Sequence, residues 1–516
     1  MINKKLAMLL TSMLTYTGSM AQSVFQKTYT QGINTEFTQI INTSDGGFAN
    51  IGSFNNSNDD ICLVKTDAIG NVQFTTTLTS PTLENAKGVI QTNSGDYIIC
   101  GNITINNTNA IYLAAINASG SLLWQKYYDA GKTDVANSIK LAANGDFIIA
   151  GYTTSVGIAY PKGLLMRTDA AGNLLWSKAY TQIHTQTFNK VIEASDGSLI
   201  AVGSQVAFGN TDYDWVVLHT DSAGTLIWNY TYGDLSDEEA YDIIQVGGYY
   251  YVTGYTASAG AGSRDMFVMQ LGLAGNILGG TVIGTEKSET AFNIHYYDNT
   301  SLAITGVSEI TSAAGNKEVG TILRTDFLLN PYQATYLGDS NAVFNPISSV
   351  VNATGKIALS GKYKAPGNTN FEGLLMQNNL AYSAACNELY PTILTSNYIP
   401  NHNAQTTELL VTFATQAANL VANNPTITLN TLCFSTGLEN KNKHLVGYPN
   451  PATDFINLDA IWHGSSIQIS NLQGKLSIEA TLSNDYKIDV KSLQPGLYIA
   501  TINKYQEQFR FKFVKQ

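Results

Sequence analysis

The chain has 516 residues and a formal net charge of −11, with 13% charged residues, about half the usual share of roughly 25%. Lys441-Asn442-Lys443 is its one basic cluster, which excludes a nucleic-acid binder, because phosphate contacts need concentrated Lys and Arg. The length exceeds one ordinary core, so the chain is a repeat array, several domains, or both.

Residues 1–21 have the form of a signal peptide. Lys4 and Lys5 give a positive start, Leu6 to Leu14 a short apolar run, and Ser19-Met20-Ala21 a small-x-small cleavage site before Gln22. That run is too short to span a bilayer, and no other segment approaches 18 apolar residues. The expectation is an exported, soluble mature protein.

A repeat follows. Its first hairpin ends on a glycine seven times, in SDGGFANIG at Gly52, NSGDYIICG at Gly101, ANGDFIIAG at Gly151, SDGSLIAVG at Gly203, GGYYYVTG at Gly254, NTSLAITG at Gly306 and ATGKIALSG at Gly361. Successive glycines lie 49, 50, 52, 51, 52 and 55 residues apart. A second hairpin recurs as LVKTDAIGNVQF around Asp67, LMRTDAAGNLLW around Asp169 and VLHTDSAGTLIW around Asp221. Asp followed three residues later by Gly or Asn fits a type I turn with a left-handed residue after it. The repeated Thr-Asp lacks the D-x-D-x-D-G spacing of a calcium loop, so it reads as a turn. Strands apolar on both faces must be covered on both faces, so no unit stands alone. A period near 50 with four short strands per unit is the signature of a β-propeller blade.

The outer strand predicts how the array ends. Trp124 and Trp176 each lie 27 residues before the next closing glycine, and Phe25 lies 27 residues before Gly52. The mature N-terminus therefore opens with a fourth strand that has no third strand ahead of it. The seventh unit has a third strand at Phe371 to Gln377 but a poor match for a fourth. The N-terminal strand is expected to complete the last blade and remove the open edges; an open solenoid is the alternative.

Acids recur just ahead of the innermost strand: Glu84, Asp134, Asp237-Glu238-Glu239 and Glu289. They read either as loop carboxylates accepting backbone N–H bonds or as a ligand or cation funnel at the channel mouth. Residues 25–380 resemble the delta-sixty-type propeller repeats of Bacteroidota surface proteins, a likeness that bears on fold and not on activity.

Residues 381–440 break the period, and they read as a small disulfide-tied β elaboration. Of the four cysteines, Cys386 and Cys433 flank this region and are the expected pair, worth about 4 kcal/mol in the chain-entropy model. Cys62 and Cys100 sit in apolar strands and read as buried free thiols. A polar linker covers 441–447.

From Tyr448 the pattern changes to alternating strands with turns at Gln473-Gly474 and Pro495-Gly496, which suits a small β-sandwich. Tyr448-Pro449-Asn450-Pro451, then Asn471-Leu472-Gln473-Gly474-Lys475, then Leu493-Gln494-Pro495-Gly496-Leu497-Tyr498 and a basic terminal strand follow in order. Residues 448–516 thereby resemble the type A C-terminal sorting domain of the Bacteroidota type IX secretion system. The resemblance implies Sec export to the periplasm, recognition by the outer-membrane translocon, and removal of the domain by a sortase-like peptidase. The protein would then be secreted or attached to the outer surface.

The residues nominate no catalytic set, no metal ligands and no cofactor. The six histidines (184, 219, 295, 402, 444 and 463) lack paired metal spacing, and there is no G-x-S-x-G elbow or P-loop. His219 stands where other copies carry Lys65 or Arg167, which points to a structural role. Glycoside hydrolysis needs two facing carboxyls about 5 to 9.5 Å apart, which neighbours such as Asp237, Glu238 and Glu239 rarely provide. The expected architecture is all-β, a seven-bladed propeller over 22–380 followed by the sandwich. The expected function is a non-catalytic glycan- or protein-binding module, with a secreted polysaccharide hydrolase or lyase as the alternative.

Overall fold

The turn chemistry of the repeat decides its local structure. In the third unit, Asp169 Oδ1 accepts the amide N–H of Ala171 at 2.9 Å and of Asn173 at 2.7 Å. Gly172 takes φ +73° in that turn. The turn joins strand Lys162–Thr168 to strand Leu174–Tyr180. The first hairpin is held by charge as well, since Arg167 Nε donates to Asp146 Oδ2 at 2.8 Å.

This is a computed structural model; it describes residues 24–378 and 388–435, apart from a few loop positions, and most of 452–515. The expected signal peptide, the linker 441–447 and Cys386 lie outside the described residues. Among the described residues there is no helix, and seven five-stranded antiparallel sheets are present. The first contains β2 (Asn34–Asn42), β3 (Phe48–Asn55), β4 (Asp60–Thr66) and β5 (Val72–Thr79) in that order. The seventh takes its fourth strand from the N-terminus, where β1 (Val24–Thr30) pairs with Glu372–Asn378 in the register Phe25↔Gln377 to Tyr29↔Gly373.

The innermost strands pack on one another in succession from β2 onward, and the seventh, Val343–Val351, packs back onto β2. One tie recurs around this circuit. The Tyr128 hydroxyl donates to Gly172 O in the next sheet, Tyr180 to Gly224 O, Tyr232 to Gly275 O, and Tyr29 of β1 to Gly70 O of the first sheet, at 2.5 to 2.7 Å. The Trp124 ring occupies the place a Cβ on Gly172 would take, as Phe25 does at Gly70. Those turn glycines therefore serve both a left-handed φ and a close approach.

The seven closing glycines have a different reason. Each sits opposite a register shift in the innermost strand, such as that between Ala136 and Ser138 facing Gly151. A Cβ on any of the seven would lie well under 3.0 Å from a backbone carbonyl oxygen, Val135 O in the case of Gly151. The bulge presses the two backbones together, and only glycine fits.

Residues 388–435 add strands to the main sheets. They lie as a belt along the outer edges, one short strand per sheet and in reverse order. Glu388–Leu389 joins the sixth sheet, Leu394–Asn397 the fifth, Asn401–Ala404 the fourth and Glu408–Leu410 the third. Ala414–Ala417 then joins the second, Val421–Asn423 the first and Thr428–Ser435 the seventh, against β1. The physical reason is that the segment has no core of its own. Its strand residues are largely exposed, while Tyr398, Val411, Phe413 and Leu420 pack against clusters of the main sheets. Side chains of the outer strands grip it as well. Gln125 donates to Leu420 O at 2.9 Å and accepts Leu420 N at 3.1 Å.

The C-terminal residues form a two-stranded sheet (Phe455–Asn457 with Lys487–Asp489) and a four-stranded sheet ordered Leu476–Thr481, Ser466–Asn471, Gly496–Lys504, Glu507–Lys515. Ile456 and Ile488 from the first share one core with Ile467, Ile469, Ala500, Ile502 and Phe513 from the second.

Candidate functional site

The recurring acids are the first place to look for chemistry, and the geometry makes most of them structural. Asp134 is fully buried; Oδ2 accepts Ala130 N at 2.9 Å, and the hydroxyls of Thr153 and Ser155 also donate to its carboxylate. Glu238 accepts the Thr256 hydroxyl at 2.8 Å and Asp234 N at 3.3 Å. Glu289 accepts both the amide and the hydroxyl of Thr285, Glu84 accepts the hydroxyls of Ser80 and Thr82, and Asp237 accepts Tyr213 N at 3.0 Å. Burial raises the carboxyl pKa of Asp134, Glu238, Glu289 and Glu84 in spite of these donors. They close the loops that enter four of the seven innermost strands.

One carboxyl outside that set is strained electrostatically. Asp214 and Glu238 both press on Gly233, so that a Cβ there would meet a carboxylate oxygen of each. Burial first, then the charges of Glu238, Asp212 and Asp234, push the Asp214 carboxyl up to about 6. The folded state therefore holds a proton that the unfolded chain, near the usual value of about 3.9, has released. Stability from this group falls as pH rises from about 4 to about 6 and stays low above that. Asp214→Asn is expected to abolish this slope and to stabilise the protein by about 1 kcal/mol at neutral pH, a figure reduced for solvent screening. Urea midpoints measured between pH 4 and 8 check it; an unchanged slope would remove Asp214 from the account.

The constellation with binding character lies one step along the innermost strands. The bulges turn Asn137, Asn189, Tyr241 and Phe292 to equivalent half-buried positions. Tyr241 and Phe292 meet with ring centroids 5.0 Å apart at 57°. Tyr255 lies 6.3 Å from Tyr241, and the exposed Arg264 guanidinium covers the Tyr255 ring at 4.4 Å. Glu239 accepts the Tyr241 hydroxyl at 2.8 Å on Oε2 and the Asn189 amide at 3.0 Å on Oε1. Asn189 Nδ2 also donates to Ala240 O, and Asn137 Nδ2 to Phe188 O, each at 3.0 Å. Burial drives the Tyr241 phenol pKa well upward, so the hydroxyl remains a donor across the ordinary pH range. Sequence reasoning singled out Glu239 and missed Tyr241 and Phe292, because a bulge and not strict alternation brings them round.

The remaining candidates are accounted for by packing. His219 Nε2 lies 2.8 Å from Ser198 Oγ, with the Trp228 ring against its edge. His295 contacts Ser349 Oγ at 2.7 Å, and burial lowers its pKa to about 4. His402 stacks on Tyr232; His184, His444 and His463 lie outside the described residues. Cys62 and Cys100 are free and buried, and burial pushes the Cys100 thiol up to about 12. Among the described residues no group of three or more His, Cys, Asp or Glu can hold a metal ion. A crevice of about 240 Å³ between the second and third sheets is lined by Asp96, Leu123, Trp124 and Phe147 among others, and its Trp124 is committed to Gly172.

Of the sorting-motif residues, Tyr448, Pro449, Asn450, Pro451 and Gly474 lie outside the described residues. Lys475 is exposed, and its amide donates to Asn471 Oδ1 at 2.9 Å. Pro495 and Gly496 are exposed at the start of strand Gly496–Lys504. Tyr498 is buried, stacks on Phe513 at 5.7 Å and donates to Gln494 O.

Residues 447–516 match the family described as a secretion system C-terminal sorting domain. No curated protein matches the chain. Among solved structures, similarity extends to Sqt1 from Chaetomium thermophilum, at 12% identity over 68% of this chain and 97% of that one, TM-score 0.41. It also extends to the polysaccharide lyase Uly1 (10%, 67% and 90%, TM-score 0.46) and to the Bombyx mori GH32 beta-fructofuranosidase BmSUC1 (11%, 73% and 93%, TM-score 0.30). Likeness at these values carries no conclusion about activity. The sorting domain supports a type IX signal and export to the cell surface or beyond it.

Proposed function

We propose that this protein is a seven-bladed β-propeller of Bacteroidota type, delivered to the periplasm by its signal peptide and carried across the outer membrane by its sorting domain. A sortase-like peptidase then cuts in the linker 441–447, and the propeller acts at the surface or in the medium as a non-catalytic module that binds a neutral glycan. The observation that carries the binding reading is the Tyr241–Phe292 pair beside Asn189 and Glu239. Aromatic faces stack on sugar rings, and amides and carboxylates fix their hydroxyls. Both oxygens of Glu239 are already hydrogen-bonded to Tyr241 and Asn189, which suits a polar clamp better than a general acid or base. The net charge of −11 disfavours a polyanionic ligand.

The mature protein is expected to bind a neutral oligosaccharide on a glycan array without releasing product. Tyr241→Ala is expected to weaken that binding by about tenfold, equivalent to about 1.4 kcal/mol, with the urea midpoint used to correct for any loss of fold. Release of shortened saccharides by the wild-type protein would replace the binding reading with the hydrolase or lyase reading.

A further inference from the structure

One position of the repeat carries a long basic side chain in three sheets and only a methyl group in the second. Lys65 in the first sheet, Arg167 in the third and Arg324 in the sixth stand on the third strand. They form ion pairs with Asp45, Asp146 and Asp298 at 2.6 to 2.8 Å. The second sheet has Ala115 there. The register fixes the equivalence, since Arg167 faces Ile148 and Trp176 while Ala115 faces Ile98 and Trp124.

The groups that receive Arg167 have counterparts in the second sheet and its neighbour. Arg167 Nε donates to Asp146 Oδ2 at 2.8 Å, Nη2 to Asn144 Oδ1 at 3.0 Å and Nη1 to Ser222 O at 2.9 Å. One repeat earlier, 50 residues back in the first hairpin and 52 in the second, stand Asp96, Ser94 and Ala170. All three line the crevice of about 240 Å³ between the second and third sheets. Asp96 Oδ2 accepts the Ser94 hydroxyl at 2.8 Å, and among the described residues Asp96 joins no salt bridge. Lys126, on the strand of Trp124, is turned to the next sheet, where it donates to Ala171 O and Asn173 Oδ1.

We infer that this crevice is a binding site for a guanidinium group on an alkyl stem, held as Arg167 is held one sheet further on. A cavity of roughly 150 Å³ accepts a benzene ring, so the volume admits such a group. Asp96 supplies the opposite charge, and Trp124 and Phe147 supply an aromatic wall on which a guanidinium packs. The sixth sheet makes the same arrangement from its own residues. There the Arg324 guanidinium lies 4.4 Å from the Tyr297 ring and 5.2 Å from the Tyr332 ring while it pairs with Asp298. A calcium ion is the wrong occupant, because it takes six or more oxygens, and the crevice offers one carboxylate beside apolar rings. The guanidinium can come from a free alkylguanidine or from an arginine of another protein. The site is independent of the proposed glycan face, since Tyr241 belongs to the fifth sheet.

The experiment is calorimetric titration of the full mature protein with propylguanidinium. The expected result is saturable binding to one site, weakened about tenfold in Asp96→Asn, which removes the charge-assisted hydrogen bonds. Ala115→Arg puts a guanidinium into the crevice from within; it should abolish binding and raise the urea midpoint by filling the cavity. Propylurea, which has the same shape without the charge, should not bind. A peptide with one central arginine forms the second arm. Tighter binding of the peptide than of propylguanidinium identifies a protein as the source, and equal binding a free alkylguanidine; both support the site. No saturable binding of either probe, or binding unchanged in Asp96→Asn, would overturn the inference, and so would an Ala115→Arg protein that folds and still binds. Should Ala115→Arg not fold, Asp96→Asn decides alone, because Asp96 is only half-buried.

Discussion

A chain trimmed to start at Gln31 is expected to lose its cooperative unfolding transition under conditions where the intact protein is folded. The trim removes β1, whose Phe25 and Tyr29 are fully buried, and truncating one buried aromatic alone costs about 3–5 kcal/mol. It also removes the Tyr29 hydroxyl from Gly70 O and leaves two strand edges, Glu372–Asn378 and Thr428–Ser435, without the partner between them. The sum is on the order of 10 kcal/mol, comparable to the entire stability of an ordinary domain at about 5–15 kcal/mol. Graded variants separate the contributions. Tyr29→Phe should cost about 1 kcal/mol and Phe25→Ala about 3–5 kcal/mol, read from urea denaturation. A trimmed chain with the wild-type midpoint would mean that β1 does not hold the seventh sheet in solution.

Deleting residues 447–516 is expected to have the opposite profile, with no loss of stability in the seven sheets and a near-complete loss of surface delivery. The sorting domain buries its own core, in which Ile456, Ile467, Ile502 and Phe513 pack with one another, so its removal opens no seam between the seven sheets. Without it the remainder should accumulate in the periplasm, as fractionation and surface proteolysis will show. Fusion of the same residues to an unrelated exported reporter should carry the reporter outward. Surface exposure of the truncated protein would refute the assignment of the tail as the export signal.

Much of this architecture is written in local chemistry, which is why single residues reveal it. Asp169 and Gly172 form their turn whatever surrounds them, and the 27-residue spacing from Phe25 to Gly52 is visible because the outer strand has a fixed length. The belt was not legible for the converse reason. Strands such as Asn401–Ala404 are four residues long with exposed side chains, and their hydrogen bonds go to a sheet far earlier in the chain, at Tyr230 to Gly233. Composition carries no trace of such a partner. At the candidate site Glu239 stood out as an acid, but Tyr241 and Phe292 read as ordinary strand aromatics until the bulges after Ala240 and Ala291 set their direction.

The position of β1 also sets a clock. Its partners lie at residues 372–378 and 428–435, so the first strand to emerge must wait for nearly the whole chain before it pairs. Contacts of such long separation form late and slowly. Six sheets can form their four main strands as the chain arrives, while the seventh records that it is complete. The seven-sheet body thus carries a built-in test of its own completion, and a chain broken off before residue 372 never passes it.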